Sequence, residues 1–314
     1  MRGETQDTMK RPLIADLSLL FVTLIWGTTF VLVQNAIDFL PPFAFNGIRF
    51  SLAALLLFFC LLFFDFKQLK QINLKLLASG VFIGFWLFLG YVTQTIGLLY
   101  TTTSKAGFIT GLSVVLVPLF SMLLLKQYPS KNAVFGVLTA TLGLFFLTLT
   151  DVSGFNIGDG FVFICAISFG MHIIITGKVS NNYPTLLLTV IQISTVGLLS
   201  SFSSFFFEDW RKSVRLDILV SKDVLAALII TSVFATAIAF FIQTNFQKYT
   251  SATRVALIFA MEPVFAAITG YFWAHERLSI SALFGCILIF LGMIMAELPA
   301  GKLALFRKSK SLES

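Results

Sequence analysis

Charge is what this chain has least of. Asp, Glu, Lys and Arg make up 12% of its 314 residues, about half the share of a soluble domain. A water-solvated surface is therefore excluded. Cysteine occurs three times, and Cys60, Cys165 and Cys286 each stand alone in an apolar run. No disulfide framework or cysteine metal site is expected, and such free cysteines pack as small apolar residues. Histidine occurs twice, and His172 and His275 are predicted near opposite faces of a bilayer. No Gly-x-Ser-x-Gly elbow, metal-ligand helix or phosphate-cradling loop is present, so neither an enzyme nor a bound cofactor or metal is expected. A basic stripe with aromatic platforms is also missing, which argues against nucleic acid as a partner.

Apolar length is abundant instead. Hydrophobic residues make up 57% of the chain, with 37 Phe gathered in runs such as Leu55–Phe64. Ten apolar segments can be marked: 13–33, 43–64, 74–98, 105–125, 131–150, 158–178, 185–207, 224–244, 252–273 and 279–298. Each is near the ~20 residues that carry a helix across a ~30 Å hydrocarbon core. Transmembrane strands would be half as long and alternate in polarity. The breaks hold turn or polar residues, such as Pro41-Pro42 and Asn181-Asn182-Tyr183-Pro184, and none has room for a soluble domain. Lys10, Arg11 and Pro12 precede the first run, which is too long for a signal-peptide core and reads as a retained helix.

Orientation follows from Lys and Arg. With both termini cytoplasmic, fifteen of the 22 fall on the inner side, six on the outer, and Arg49 lies within a span. The expected location is the cell membrane, with lipid as a partner.

The two halves resemble each other. A displacement of 149 positions carries Gln94-Thr95 onto Gln243-Thr244, Lys105 onto Arg254, Ser130 onto Ser279, Gly136 onto Gly285 and Gly143 onto Gly292. For the first two segments the displacement is 143, taking Gly27 to Gly170 and Pro41 to Pro184. Five helices is an odd number, so the second copy enters the membrane inverted. The expected fold is all-α, ten transmembrane helices as two inverted five-helix repeats, residues 1–150 and 151–298, with a basic cytoplasmic tail at 299–314. Inverted repeats around a central site are a transporter architecture, since two near-equivalent halves can exchange conformations.

Specific motifs point the same way. Leu24-Ile25-Trp26-Gly27-Thr28-Thr29-Phe30-Val31 with Pro41-Pro42 and Ile48-Arg49-Phe50 resembles the first two helices of the EamA family of drug/metabolite transporters. Glu262-Pro263-Val264-Phe265, then His275 to Ser279 and Gly285 to Gly292, resembles its ninth and tenth helices. The resemblance implies a carrier for amino acids, metabolites or drugs, often an exporter. The first half departs from the pattern: Gln127 stands opposite Glu276, and Pro118 lies one turn beyond Val114, the position equivalent to Pro263.

Ionisable groups in hydrocarbon are costly and ask for a partner or a purpose. Arg49 is predicted about 9 Å deep with Asn46 one turn away. Its fork could bind a substrate carboxylate or phosphate, or it could serve a structural pair with Glu262 or helix-end carbonyls. Glu262 precedes Pro263, a residue able to kink its helix, and Pro118 is a second candidate kink or gate. Glu262 could bind a cation, take up a coupling proton, or pair with Arg49. His172 is read as a titrating group or a hydrogen-bonded bundle residue. Thr29 is its repeat equivalent, Gln94 and Gln243 could line a polar path, and Trp26 could form a stacking wall. Lys105 and Arg254 are expected to snorkel to the interface.

The reading is a secondary carrier for a small molecule, its cavity between the five-helix halves, with the proton a candidate coupling ion and a homodimer a candidate assembly. A channel or lipid scramblase is the alternative.

Overall fold

The computed structural model describes residues 2–101, 103–148, 156–209, 211, 215–273 and 279–297. His275 to Leu278 and the tail 299–314 lie outside the described residues. Among the described residues every regular element is helical. In order these are α1 (Arg2–Ile37), α2 (Pro42–Phe64), α3 (Leu74–Leu98), α4 (Thr103–Gly111), α5 (Ser113–Leu125), α6 (Lys131–Thr148), α7 (Ile157–Val179) and α8 (Thr185–Phe207). There follow a short α9 (Leu216–Leu219), α10 (Lys222–Ser232), a π-helical turn (Val233–Ile238), α11 (Ala239–Phe246), α12 (Ala252–Phe259), α13 (Glu262–Trp273) and α14 (Ile280–Glu297).

By length and apolarity, seven helical stretches among the described residues can cross a membrane, and the bent α1 would make eight. α6 and α14 contain shorter apolar helices, Lys131–Leu147 and Ile280–Ala296. Side chains such as Phe64 and Phe207 lie fully open on the outside of the bundle, where only lipid could cover them.

Helix ends are tied down locally and across the bundle. Asn73 and Ser251 cap α3 and α12, and Asn156 forms a capping box with Asp159 on α7. Pro42 opens α2, where a missing N–H costs nothing. The free N–H groups of Phe43 and Ala44 donate to the Glu208 carboxylate at 2.8 and 2.9 Å. At the opposite end, Leu187 N donates to Gln68 Oε1 at 3.0 Å. Ala44 and Leu187 are equivalent under the 143-residue displacement.

Two segments read as continuous are interrupted. One breaks at Leu112, between α4 and α5, and the other at Ala260-Met261, between α12 and α13. Leu112 and Met261 are equivalent under the displacement of 149. Pro118 sits inside α5, past the break, whereas Pro263 follows its break directly. The interruption therefore does not track proline.

α6 and α14 touch backbone to backbone. A Cβ on Gly143 would lie 2.7 Å from Gly285 O, and one on Gly285 would lie 2.5 Å from Gly143 O. Gly136 and Gly292 meet in the same reciprocal way. In lipid, where burial gives no hydrophobic driving force, such small-residue contact supplies the dispersion that joins helices.

Gly285→Ala is expected to destabilise the protein by ~1–3 kcal/mol through overpacking. Gly107→Ala, where a Cβ meets nothing within 4 Å, is the matched control and should not destabilise, helix propensity favouring Ala by up to ~1 kcal/mol. Melting temperatures of the two purified variants in detergent test this.

Candidate functional site

A cavity of about 330 Å³ lies at the centre of the helices, lined from α1 to α7 and from α11 to α14. It reaches the end of the bundle where Gln34, Leu98, Leu147 and Ser279 form a mouth. Trp26, Thr29, Arg49, Gln94, His172, Gln243, Glu262 and Pro263 line it, as does Tyr91. Asn46 and Pro118 are buried but do not line it. Asn46 donates to Thr95 Oγ1 at 3.1 Å, and Thr95 faces the cavity.

Arg49 is 3% exposed and is held by the π-helical turn. Its Nε donates to Thr236 Oγ1 at 2.8 Å and its Nη2 to Ala235 O at 3.3 Å. Trp26 Nε1 donates to the same Ala235 carbonyl at 2.8 Å. A π turn puts backbone carbonyls out of the i→i+4 ladder, which makes such an acceptor available in the middle of a span. The guanidinium also lies 5.2 Å from the Phe50 ring centre and 5.0 Å from that of Tyr91, within cation–π range. The sequence left Glu262 or helix-end carbonyls as structural partners of Arg49; the partners engaged are a hydroxyl and a carbonyl of a mid-span turn.

Glu262 behaves differently. Among the described residues its carboxylate has no hydrogen bond or ion pair, yet it is near enough for Arg49 to feel its charge. It is half-buried and borders the cavity. The helix interruption at Ala260-Met261 directly precedes it, and Gly27 lets α1 pass close by: a Cβ on Gly27 would stand 2.7 Å from Glu262 O. Trp26-Gly27 and Glu262-Pro263 are thus one contact.

His172 is 3% exposed, with Nε2 3.2 Å from Gln192 Oε1. Gln192 Nε2 in turn donates to Thr244 Oγ1 at 2.8 Å. Thr29 returns its hydroxyl to Ile25 O at 2.8 Å. Gln243 donates to Gln247 Oε1 at 3.1 Å, while its own Oε1 has no partner among the described residues. The walls are aromatic: Trp26 meets Phe259 edge-on at 5.0 Å and Tyr91 meets Phe169 at 5.2 Å. Phe240 contacts Trp26, Tyr91 and His172.

Sequence reasoning missed Tyr91, Phe169, Phe240 and Gln192. The repeat held the signal: Tyr91 is equivalent to Phe240, Trp26 to Phe169 and Arg49 to Gln192. Lys105 and Arg254 do more than snorkel. Lys105 Nζ pairs with Asp159 at 2.7 Å and Arg254 with Asp16 at 3.3 Å. Asp16 and Asp159 are themselves equivalent, so the two ion pairs are one interaction made twice.

Thr236→Val keeps the shape of the side chain but removes the acceptor for Arg49 Nε. A hydrogen bond to a charged group is worth ~1.5–3 kcal/mol, so a clear fall in melting temperature is expected. Thr236→Ser should restore it. Equal melting temperatures for Val and Ser variants would contradict this account.

Comparison with known proteins adds four findings. The sequence model of the EamA-like transporter family matches residues 13–149 and again 156–298. An uncharacterized transporter of Archaeoglobus fulgidus is 39% identical over 290 residues, 91% of this chain and 86% of that protein. The S-adenosylmethionine/S-adenosylhomocysteine transporter of Chlamydia muridarum is 26% identical over 288 residues, 85% of this chain and 88% of that protein. A crystal structure at 20% identity superposes with a TM-score of 0.77, over 92% of this chain and 98% of the other, and shares its fold.

Proposed function

The chain belongs to the EamA-like transporter family, a multi-pass membrane transporter, and on that premise we propose that it is a secondary carrier for a small zwitterionic or cationic organic solute. The observation that carries the proposal is Arg49 and Glu262 bordering one central cavity without pairing with each other. A guanidinium fork accepts a carboxylate, a free carboxylate accepts an ammonium or sulfonium, and aromatic walls accept a flat or apolar group. About 330 Å³ is at the scale of a metabolite pocket. The Chlamydia relative is named for S-adenosyl compounds, which combine an amino-acid head with a purine ring, and that chemistry fits this lining.

The proposed mechanism is alternating access between two inverted five-helix repeats, ten spans in all, with both termini cytoplasmic. Two reciprocal contacts support it: Gly136–Gly292 with Gly143–Gly285, and Lys105–Asp159 with Arg254–Asp16. A two-fold axis in the membrane plane would exchange the members of each set. The double match of the family model supports the same division. In this reading Glu262 alternates between a proton and the cationic group of the solute.

Proteoliposomes loaded with unlabelled S-adenosylmethionine are the first test. Labelled S-adenosylmethionine outside should accumulate transiently by counterflow, which a channel or scramblase would not produce. Arg49→Ala should cut the rate at least tenfold. Glu262→Gln should abolish accumulation driven by a pH gradient. Full pH-driven uptake by Glu262→Gln would remove proton coupling through this carboxylate.

A further inference from the structure

At its deep end the central cavity carries a polar atom that nothing in the protein satisfies. Gln243 borders the cavity and is 1% exposed, and its Oε1 accepts no hydrogen bond among the described residues. The depth follows from α7. Gly158, near the start of that helix, packs against Gly97 and Tyr100, beside the mouth residue Leu98. Ile173 lies fifteen residues further on, about 22 Å along the axis, and also lines the cavity. Through Gln247, Gln243 is tied to this floor. We propose that Gln243 Oε1 reads a hydrogen-bond donor, an N–H on the edge of the solute's flat group, and that Gln247 is the positioning residue that holds the amide in that sense. The proposal deepens the carrier reading above and rests on it.

A chain of bonds dictates the sense of the amide. A backbone carbonyl can only accept, so Gln247, which meets Ile173 O, must present Nε2 to it. That turns Gln247 Oε1 toward Gln243, whose Nε2 donates to it at 3.1 Å. Three of the four polar atoms of the two amides are thereby engaged, and Gln243 Oε1 is the fourth. Flipping either amide would set oxygen against oxygen. Packing holds the lock as well. Gln247 is 1% exposed and does not line the cavity, and a Cβ on Gly177 of α7 would lie 3.3 Å from its Nε2. The other half has no such device. Gln94 is equivalent to Gln243, but the position equivalent to Gln247 is Leu98, an apolar residue of the mouth. Leu98 cannot hold the Gln94 amide in one sense, so only Gln243 offers a fixed acceptor.

A buried acceptor discriminates because leaving it empty is costly. A solute with a donor at that point satisfies it, and one without leaves it bare. The flat group is placed by the walls. Phe240 contacts Trp26 and Tyr91, and Gln243 follows it on α11, about 4.5 Å further along the axis. A ring lying on these walls turns an edge toward Gln243. The exocyclic amine of adenine is a donor of the required kind.

Calorimetry on the full-length protein in detergent tests this, with S-adenosylmethionine and its analogue lacking the purine 6-amino group as probes. Both share the amino-acid head, so the ratio of their dissociation constants cancels what Arg49 and Glu262 contribute. Wild type should bind the analogue at least tenfold more weakly. Gln243→Met should bind the two within about twofold. Gln247→Met, at a residue outside the cavity lining, should lower the ratio at least threefold by releasing the Gln243 amide. Gln247→Glu at acidic pH should keep the ratio, since a neutral carboxyl donates to Ile173 O and accepts from Gln243 Nε2. Should Gln243→Met fail to fold, the wild-type ratio and Gln247→Met decide alone. A wild-type ratio near one, or a preference that survives Gln243→Met, overturns the assignment to Gln243 and leaves the carrier reading in place. A Gln247→Met variant that melts lower with its ratio unchanged overturns the positioning role. Wild type that binds neither compound takes down the S-adenosyl reading and this inference with it.

Discussion

A guanidinium inside a membrane bundle costs ~2.5–3.5 kcal/mol or more unless its donors are satisfied, and Arg49 sets that demand at the centre of this protein. A regular α-helix commits each carbonyl to the residue four ahead, leaving only a second lone pair for a side chain. The π-helical turn Val233–Ile238 meets the demand by presenting Ala235 O, with Thr236 Oγ1 beside it. Trp26 uses the same carbonyl, so α1, α2 and the α10–α11 segment converge on one turn. Phe50 and Tyr91 flank the guanidinium and carry its position out to the aromatic walls. The shape of the cavity follows from where one charge finds its acceptors.

That arrangement separates scaffold from chemistry. The aromatic walls are duplicated: Trp26 with Phe169, Tyr91 with Phe240, and the glutamines Gln94 with Gln243. The ionisable groups that border the cavity are not. Arg49 answers to Gln192, Glu262 to Ser113 and His172 to Thr29. A repeat keeps two end states close in energy only where its halves match, and the matched glycines and ion pairs are contacts between helices. A solute needs a single polarity across its site, and the unmatched residues supply it. On the proposed reading, symmetry serves the motion and asymmetry serves recognition.

The helix limits were legible where apolar length meets turn chemistry. Positions 74–98 and 185–207, marked from hydropathy alone, are α3 and α8. The breaks at Leu112 and Met261 were not, because they share no turn signal: Leu112 lies in an apolar run, and only Met261 is followed by Glu262 and Pro263. Nor could the π turn be read, since Val-Phe-Ala-Thr-Ala-Ile carries no signal distinguishing it from ordinary helix. Without that turn, the partner of Arg49 stayed open between a carboxylate and carbonyls. The cavity residues Trp26, Arg49 and Glu262 were visible because polarity and bulk in lipid are rare. Tyr91 and Phe240 were hidden among 37 Phe and 6 Tyr, where aromaticity alone does not discriminate.

The sequence places a boundary near residue 150 and a cavity between the halves, yet the contacts cross that boundary. Asp159 of α7 pairs with Lys105 of α4, and Phe169 of α7 packs on Tyr91 of α3. Reciprocally, Asp16 of α1 pairs with Arg254 of α12, and Trp26 packs on Phe259. Separating a largely buried ion pair leaves two uncompensated charges in a low-dielectric interior, at a cost of ~3–5 kcal/mol. Apolar contacts between α5 and α12, such as Val117 within the cluster of Val255 and Ala256, carry no such charge penalty. On the proposed carrier reading, motion should therefore run between groups that each combine helices of both repeats, α3, α4 and α7 against α1, α12 and α13. The boundary of the duplication and the boundary of movement are then different surfaces, and the ion pairs are braces within the moving bodies rather than bolts between them.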